Sequence, residues 1–312
     1  MSISQIGDRW ELGMLRKRWA GVVLIATVGW SAVACIAPGI GAEPPAAPAI
    51  TKVDFTPQER AEALGYWTPQ RMKQLGVDLD LGPTGPIAQN WSGVQMKTIG
   101  RLFFVHGDNG KDSYCTATSV HSDNRDVVLT AAHCVQKGSA PAFPYTTMVF
   151  VPGYDNGKVP YGVFPVRSFL MPTSFVNESK NDVAALVVDP VDGKHVNDVV
   201  GAQRVAVGRK PGKQVVSFGY PASNPQLGEQ LMHCAGKSAV DHTVTDPSNP
   251  HQLVRCDMTG GSSGGPWLAD LNTNTGQGIV VSVNSSLGVP DTMAGSVFGD
   301  EVQQLLLEAS RS

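Results

Sequence analysis

The chain has 312 residues, of which 42% are hydrophobic and only 16% are charged, and it contains 34 glycines and 22 prolines. This composition favours a globular β protein with many turns over a helical bundle, which would be richer in Ala, Glu, Lys and Leu. The formal net charge is -3, and the second half holds no large block of like charge. These features argue against a nucleic-acid-binding protein, because such a protein normally presents a basic stripe.

The first 42 residues have the pattern of an export signal. Basic residues at 16–18 precede an apolar run over residues 19–37, and Ile40-Gly41-Ala42 provides a cleavage site before Glu43. We therefore expect residues 1–42 to be a signal peptide and the remainder to be secreted. The apolar run is nearly long enough to span a bilayer, so an uncleaved anchor that tethers the chain on the outer side of a membrane is the alternative.

Residues 43–99 are predicted to form a linker and a propeptide-like extension. Prolines prevent regular structure over residues 43–50. A capping box with proline at the first helical position predicts a helix over Thr56–Leu64. A second Thr-Pro pair predicts another helix over Thr68–Gly76, before glycines and prolines at 82–86 break the chain again.

From about Gly100 the pattern changes to short apolar runs separated by turn residues. The clearest runs are Leu102–Val105, Val127–Thr130, Met148–Val151, Val163–Phe169, Val183–Val188, Val215–Tyr220 and Ile279–Val283. Many short strands over about 200 residues, without long helices between them, predict a β sandwich or barrels. Val302, Leu305, Leu306 and Ala309 recur at helical spacing and predict one amphipathic helix at the C-terminus.

Five cysteines are present, and loss of Cys35 with the signal leaves an even number in an oxidising compartment. The other four allow three pairings. We favour the local pairs Cys115–Cys134 and Cys234–Cys256, each of which closes a loop of about twenty residues. A zinc site is the alternative, but the sequence contains neither a C-x-x-C pair nor H-E-x-x-H. We therefore expect no metal and no cofactor.

The densest chemical signal is the run Gly260–Pro266, which reads Gly-Gly-Ser-Ser-Gly-Gly-Pro. A nucleophilic serine needs an exposed hydroxyl beside backbone N–H groups that converge on the developing oxyanion. Glycines permit the unusual backbone angles that this arrangement requires. The run lies between Cys256 and the apolar Trp267, which argues against a flexible linker. Ser263 is therefore the candidate nucleophile.

Two further segments offer a base and an acid. His133 follows the small residues at 130–132 at the end of a predicted strand, where a disulfide at Cys134 would hold the turn. Asp182 immediately precedes the apolar run Val183–Leu186. Taken alone, the histidine is more often structural than catalytic, and the aspartate is most often a turn residue.

Together, these three segments resemble the chymotrypsin-like (trypsin-like) serine peptidases, whose signatures T-A-A-H-C, D-[IV]-A-L and G-D-S-G-G-P occur in this order. The resemblance covers residues 100–310, and Gly100–Val135 is most similar to the bacterial V8-like and glutamyl-endopeptidase-like branch. It implies an all-β peptidase domain at 100–312 with two six-stranded antiparallel barrels and the site between them. An α/β-hydrolase is excluded, because its histidine follows the serine, whereas the last histidine here is His251.

The resemblance implies that His133, Asp182 and Ser263 form a triad that hydrolyses peptide bonds through an acyl-enzyme. It also implies that the N–H groups of Gly261 and Ser263 form the oxyanion hole. The expected partner is a protein or peptide substrate, and the expected state is a monomer. The alternative from another functional class is a catalytically inactive binding protein on the same scaffold.

Three positions bear on activation and specificity. The family motif has Asp before the nucleophile, where this chain has Ser262. In the vertebrate enzymes this Asp makes an ion pair during activation, which Ser262 cannot form. We therefore expect removal of residues 43–90 to activate the enzyme without such an ion pair. Asp257 lies where trypsin carries the acid that selects Arg or Lys, and Ser282 is assigned to the strand that binds the substrate backbone. The histidine that glutamyl endopeptidases place on that strand is replaced by Val281, which argues against Glu specificity and leaves an Arg or Lys preference open.

Overall fold

The computed structural model of the chain describes residues 48–138, 143–288 and 291–312. The predicted signal or anchor segment, residues 1–42, lies outside the described residues. Helices α1 to α5 are Pro57–Tyr66, Pro69–Asp78, Thr173–Glu178, Val196–Val200 and Asp300–Ser310. Strands β1 to β17 are Ile50–Asp54, Gln89–Asn90, Ile99–Val105, Asp112–Ser119, Val127–Thr130, Thr146–Pro152, Phe164–Pro172, Ala184–Val188, Arg204–Val205, Gln214–Gly219, Met232–Lys237, Ala239–Val240, His251–Arg255, Pro266–Asn272, Gln277–Val283, Ser286–Gly288 and Thr292–Ser296. None of these helices has the length and apolar character needed to cross a membrane.

Six antiparallel strands close into a barrel, called here the first barrel. Hydrogen bonds run from β3 through β4, β5, β8, β7 and β6 and return to β3. Every residue of β5 and β8 is buried, although side chains of a strand point alternately to its two faces. Their outer face is covered because α5 packs against both strands. The C-terminal helix that the sequence predicts therefore seals the outside of this barrel.

The remaining strands form the second half of the molecule, in two sheets. One has the order β2-β11-β10-β14-β15-β9, and the other has the order β12-β13-β17-β16. Strands β11 and β15 of the first sheet pack against β13 and β17 of the second, around an apolar cluster that includes Trp267. The predicted all-β class with a C-terminal helix is confirmed. The second barrel, however, is divided into two hydrogen-bonded sheets, and β9 joins β15 in parallel.

The segment predicted as an extension is part of the same compact body, which spans Ala46–Ser312. Strand β1 adds an edge to the first barrel by pairing with β7 over five residues. Trp67, at the end of α1, is buried and donates its indole N–H to the Thr147 carbonyl at 2.6 Å. Helix α2 buries Met72 and Leu75. Apolar side chains on both sides of the boundary predicted between residues 99 and 100 therefore share one core.

Candidate active site

His133 lies in a short 3₁₀ turn, Ala132–Cys134, directly after β5. A disulfide joins Cys134 to Cys115 in β4, and a second disulfide joins Cys234 to Cys256, which are the two predicted pairs. The backbone N–H of His133 donates to Oδ1 of Asp182 at 2.9 Å, and its Nδ1 lies 2.7 Å from Oδ2. Two bonds to one carboxylate fix both the backbone and the ring, so the other ring nitrogen, Nε2, faces away from the acid.

Asp182 accepts a third hydrogen bond that sequence reasoning missed. The Ser285 hydroxyl donates to Oδ2 at 2.5 Å. Ser285 follows β15 of the second half, whereas Asp182 precedes β8 of the first barrel. The acid is 7% exposed, and its hydrogen bonds therefore join both parts of the molecule at the histidine.

The charge of this pair shifts the pKa values of both groups. Burial alone would lower the pKa of His133, but the charge and hydrogen bond of Asp182 outweigh it and raise this pKa above the ordinary value. Burial alone would raise the pKa of Asp182, but the His133 ring and the Ser285 hydroxyl hold it below the ordinary value. The carboxylate therefore stays ionised, and it stabilises the cationic imidazole that forms when His133 accepts a proton.

Ser263 lies in the nucleophile loop, residues Thr259–Gly265, and is partly exposed, whereas Ser262 is buried and donates its hydroxyl to the Thr259 carbonyl. Gly264 is required because a Cβ there would lie 2.0 Å from Oγ1 of Thr130, in the strand that leads to His133. Its φ of +78° also favours glycine. The loop therefore packs directly against the histidine turn.

Two backbone N–H groups flank the candidate nucleophile. Within the described ranges, neither the Gly261 N–H nor the Ser263 N–H donates to another protein group, while the Ser262 N–H between them bonds Thr259. Gly261 has a φ of +88°. The Gly260 carbonyl accepts the Ala222 N–H at 2.7 Å, and the two groups of a trans peptide point in opposite directions, so the Gly261 N–H is turned away from Ala222.

Thr116 connects the nucleophile loop to the histidine turn. Its N–H donates to the Ser263 carbonyl at 2.8 Å, and its hydroxyl donates to the Gly261 carbonyl at 2.9 Å. It follows Cys115, which is bonded to the neighbour of His133. No hydrogen bond joins the Ser263 hydroxyl to the His133 ring among the described residues, and such bonds often tighten only when substrate binds.

The two residues predicted to bind substrate both make hydrogen bonds within the chain. Ser282 is fully buried and donates its hydroxyl to the Ser296 carbonyl at 2.8 Å. Asp257 accepts the backbone N–H groups of Ile87 and Ala88 at 2.9 and 2.7 Å. The Ser282 side chain therefore points into the core, and the Asp257 carboxylate is bound by the N-terminal segment.

One group of three side chains with metal-ligand chemistry occurs in the described part of the chain. Cys115, His133 and Cys134 place ligand atoms within 4.8 Å of one another. Both sulfurs are bonded to each other and therefore supply no thiolate, which is the form that binds a metal. This group does not provide a metal site.

Comparison with known proteins gives one family and several structural relatives. A model described as a trypsin-like peptidase domain matches residues 115–276. The protease Anisep from Arthrobacter nicotinovorans is 36% identical, with a TM-score of 0.63 over 72% of this chain and 100% of that chain. A thermostable serine protease, AL20, from an extremophilic microorganism is 33% identical, with a TM-score of 0.62 over 70% of this chain and 98% of that chain. A Glu endopeptidase in complex with MPD, at 16% identity and a TM-score of 0.57 over 74% of this chain and 99% of that chain, shares the fold. No curated protein sequence matches the chain.

Proposed function

The chain belongs to the trypsin-like peptidase family and is a serine endopeptidase, and we propose that His133, Asp182 and Ser263 are its catalytic triad. The observation that carries this proposal is the double hydrogen bond from His133 to Asp182. It assigns Nδ1 to the carboxylate and leaves Nε2, the nitrogen on the far side of the ring, for the serine.

The proposed reaction is acyl transfer through a covalent intermediate. Ser263 attacks the peptide carbonyl, and Nε2 of His133 takes the hydroxyl proton and then gives it to the leaving amine. Water, activated by the same nitrogen, then releases the acyl group from Ser263. Asp182 keeps the ring in the required tautomer and stabilises its charged form.

The oxyanion of each tetrahedral intermediate would accept hydrogen bonds from the N–H groups of Gly261 and Ser263. Both groups lack a protein partner among the described residues, so no existing bond has to be broken when the oxyanion forms. Donors that are oriented before the reaction contribute about 3 kcal/mol each to the stability of the transition state.

We assign the binding of the substrate backbone to β16, Ser286–Gly288, in place of the segment around Ser282. Strand β16 begins directly after Ser285 and forms the edge of its sheet. An edge strand offers unpaired N–H and C=O groups with which an extended peptide can pair.

Export of the enzyme is the second part of the proposal. It is supported by the signal-like pattern of residues 1–42 and by the two disulfides, since disulfides persist in oxidising compartments.

The rival function, an inactive binding protein, has to be tested because this fold also occurs in a scabies mite inactivated protease paralogue. We expect the exported protein to react with a fluorophosphonate at Ser263, so that Ser263→Ala abolishes labelling. Ser282→Ala is the matched control, because it also removes one serine hydroxyl but leaves the nucleophile in place. Equal labelling of wild type and Ser263→Ala, or no labelling and no peptide hydrolysis by wild type, would refute the proposed triad.

A further inference from the structure

A buried ion pair joins the first barrel to the second half of the molecule. Arg101, in β3, is fully buried, and its Nη1 lies 3.0 Å from Oε1 of Glu229. Tyr154 donates its hydroxyl to the same oxygen at 2.7 Å. Burying two charges is costly, and replacing such a pair with apolar residues is often neutral or stabilising. Stability alone therefore does not account for this pair.

The guanidinium of Arg101 is enclosed by aromatic rings. It lies 3.7 Å from the ring centroid of Tyr114, 4.5 Å from that of Phe103 and 4.7 Å from that of Tyr154. Its Nε and Nη2 have no hydrogen-bond partner among the described residues, and neither does the Tyr114 hydroxyl. Arg101 and Tyr114 are therefore held together by a cation–π contact, and Glu229 binds the cation through Nη1.

The Tyr114 ring also lies directly against the nucleophile loop. A Cβ on Gly261 would stand 2.6 Å from Cε2 of Tyr114 and 2.6 Å from the Tyr220 carbonyl oxygen. The Tyr114 ring and the Tyr220 carbonyl oxygen thus both lie close to Gly261, where a Cβ would stand. At Gly228, a Cβ would stand 2.1 Å from the Tyr114 hydroxyl, so Tyr114 also packs closely against this part of the second half.

Gly261 needs external contacts to hold its orientation. It follows Gly260, and two successive glycines leave the peptide between them with little conformational preference of its own. An oxyanion hole, in contrast, depends on donors that already point at the developing charge. Ser262 cannot form an ion pair that would order the loop, and its hydroxyl is bonded to Thr259.

We propose that Tyr114, held in place by the buried Arg101–Glu229 pair, is a positioning residue that orients the Gly261 N–H for the oxyanion. The inference rests on the proposed function, because it assigns Gly261 to the oxyanion hole. The buried Arg101–Glu229 pair then supplies the charge that orders the nucleophile loop. Ordering of this loop therefore does not require a newly formed N-terminus.

The first test compares two substitutions of the same ring. Tyr114→Phe removes only a hydroxyl that has no hydrogen-bond partner among the described residues, so kcat stays within about twofold of wild type. Tyr114→Leu removes the aromatic face, and kcat falls about tenfold or more, towards the 10²–10³ that loss of a whole oxyanion donor costs. KM stays close to wild type, and the affinity for a peptide boronate, which forms a tetrahedral adduct on the serine, falls in parallel with kcat. Active-site titration with a fluorophosphonate normalises every rate to folded enzyme.

The second test removes both charges together. Arg101→Met with Glu229→Leu leaves no unpaired buried charge, so a purely structural role predicts equal or higher thermal stability and wild-type kcat. The positioning role predicts a lower kcat at equal or higher stability. Wild-type kcat in this variant or in Tyr114→Leu would overturn the inference, and failure of both variants to fold would assign the cluster to folding and overturn it as well. If wild type neither labels nor hydrolyses peptides, the proposed function itself fails, which is a distinct outcome.

Discussion

Three hydrogen bonds converge on one carboxylate at the scale of single residues. Asp182 accepts the N–H and the ring of His133 from the first barrel and the hydroxyl of Ser285 from the second half. Because all three partners donate, the ionised carboxylate is matched to its surroundings, and protonating it would leave a donor facing a donor. The chemistry of the site therefore depends on this group staying charged.

The pH dependence of activity follows from the histidine. In the proposed mechanism His133 must be neutral to accept the serine proton, and its pKa lies above the ordinary 6.5, since the effect of Asp182 outweighs the lowering caused by burial. We expect kcat/KM to rise with pH through an apparent pKa above 6.5. In Asp182→Asn this apparent pKa falls, and kcat drops by up to about 10⁴, as it does in serine peptidases that lose this acid. A pH–rate profile of both enzymes checks the expectation, and a midpoint unchanged by the substitution would contradict it.

Ser285 is expected to contribute to catalysis through its hydrogen bond to Asp182. Hydrogen bonds to charged groups contribute about 1.5–3 kcal/mol, and about 1.4 kcal/mol corresponds to a tenfold change in rate. We expect Ser285→Ala to lower kcat about tenfold or more with little change in KM. Ser282→Ala is the control, because it removes a buried hydroxyl from β15, just before Ser285, and affects stability only. Steady-state kinetics of both variants test this expectation, and equal kcat values for the two variants would contradict a role of Ser285 in catalysis.

Sequence patterns identify the residues of the candidate triad, but they do not identify Ser285. His133, Asp182 and Ser263 stand in short motifs whose local spacing is distinctive. Serines stand at positions 282, 285 and 286, and any of them could be expected to bond to Asp182. Which of them does so depends on how β15 lies against β14. That pairing shifts register between Trp267 and Leu268, and spacing along the chain does not encode such a shift.

The elements of the N-terminal segment follow from local signals, whereas their role does not. Thr56 caps α1 through the predicted capping box, and Thr68 caps α2. Helix ends are local features and can be predicted from a few residues. That Ile87 and Ala88 bind Asp257, about 170 residues further along the chain, is a tertiary contact that no local pattern contains.

The two disulfides are expected to differ in their effect on activity. Each closes a loop whose cross-link stabilises the fold by about 3 kcal/mol in the chain-entropy model. Replacing Cys115 and Cys134 by Ala should lower both the free energy of unfolding and kcat, because this bond anchors the turn that carries His133. Replacing Cys234 and Cys256 by Ala should lower the free energy of unfolding alone. Urea unfolding and kcat measured well below the melting temperature separate the two effects, and an equal loss of kcat in both variants would contradict this assignment.

At the scale of the whole molecule, the N-terminal segment spans both parts of the protein. Strand β1 and helix α1 pack on the first barrel, while β2 pairs with β11 of the second half. The segment therefore connects the first barrel to the second half through its own packing and strand pairing. We infer that it remains in the mature enzyme, and that processing occurs ahead of β1.

Truncation tests this inference directly. A chain that begins at Pro48 should fold and react with a fluorophosphonate as the full chain does, because it keeps every described element. A chain that begins at Gly100 should fail to fold, since it exposes the edge of β7 and loses the buried side chains of Trp67, Met72 and Leu75. Circular dichroism and labelling of both chains give the answer. A stable, reactive protein that begins at Gly100 would restore the propeptide interpretation.

The hydrogen bond from Ser285 to Asp182 connects the two parts of the enzyme. We therefore expect kcat to depend on how closely these two parts stay packed together. Moderate urea or hydrostatic pressure that weakens this bond should lower kcat while the backbone hydrogen bonds within each sheet persist. Activity would then be lost at a lower urea concentration or pressure than the circular dichroism signal of the strands. With an engineered cross-link between the two parts, activity and circular dichroism should be lost under the same conditions.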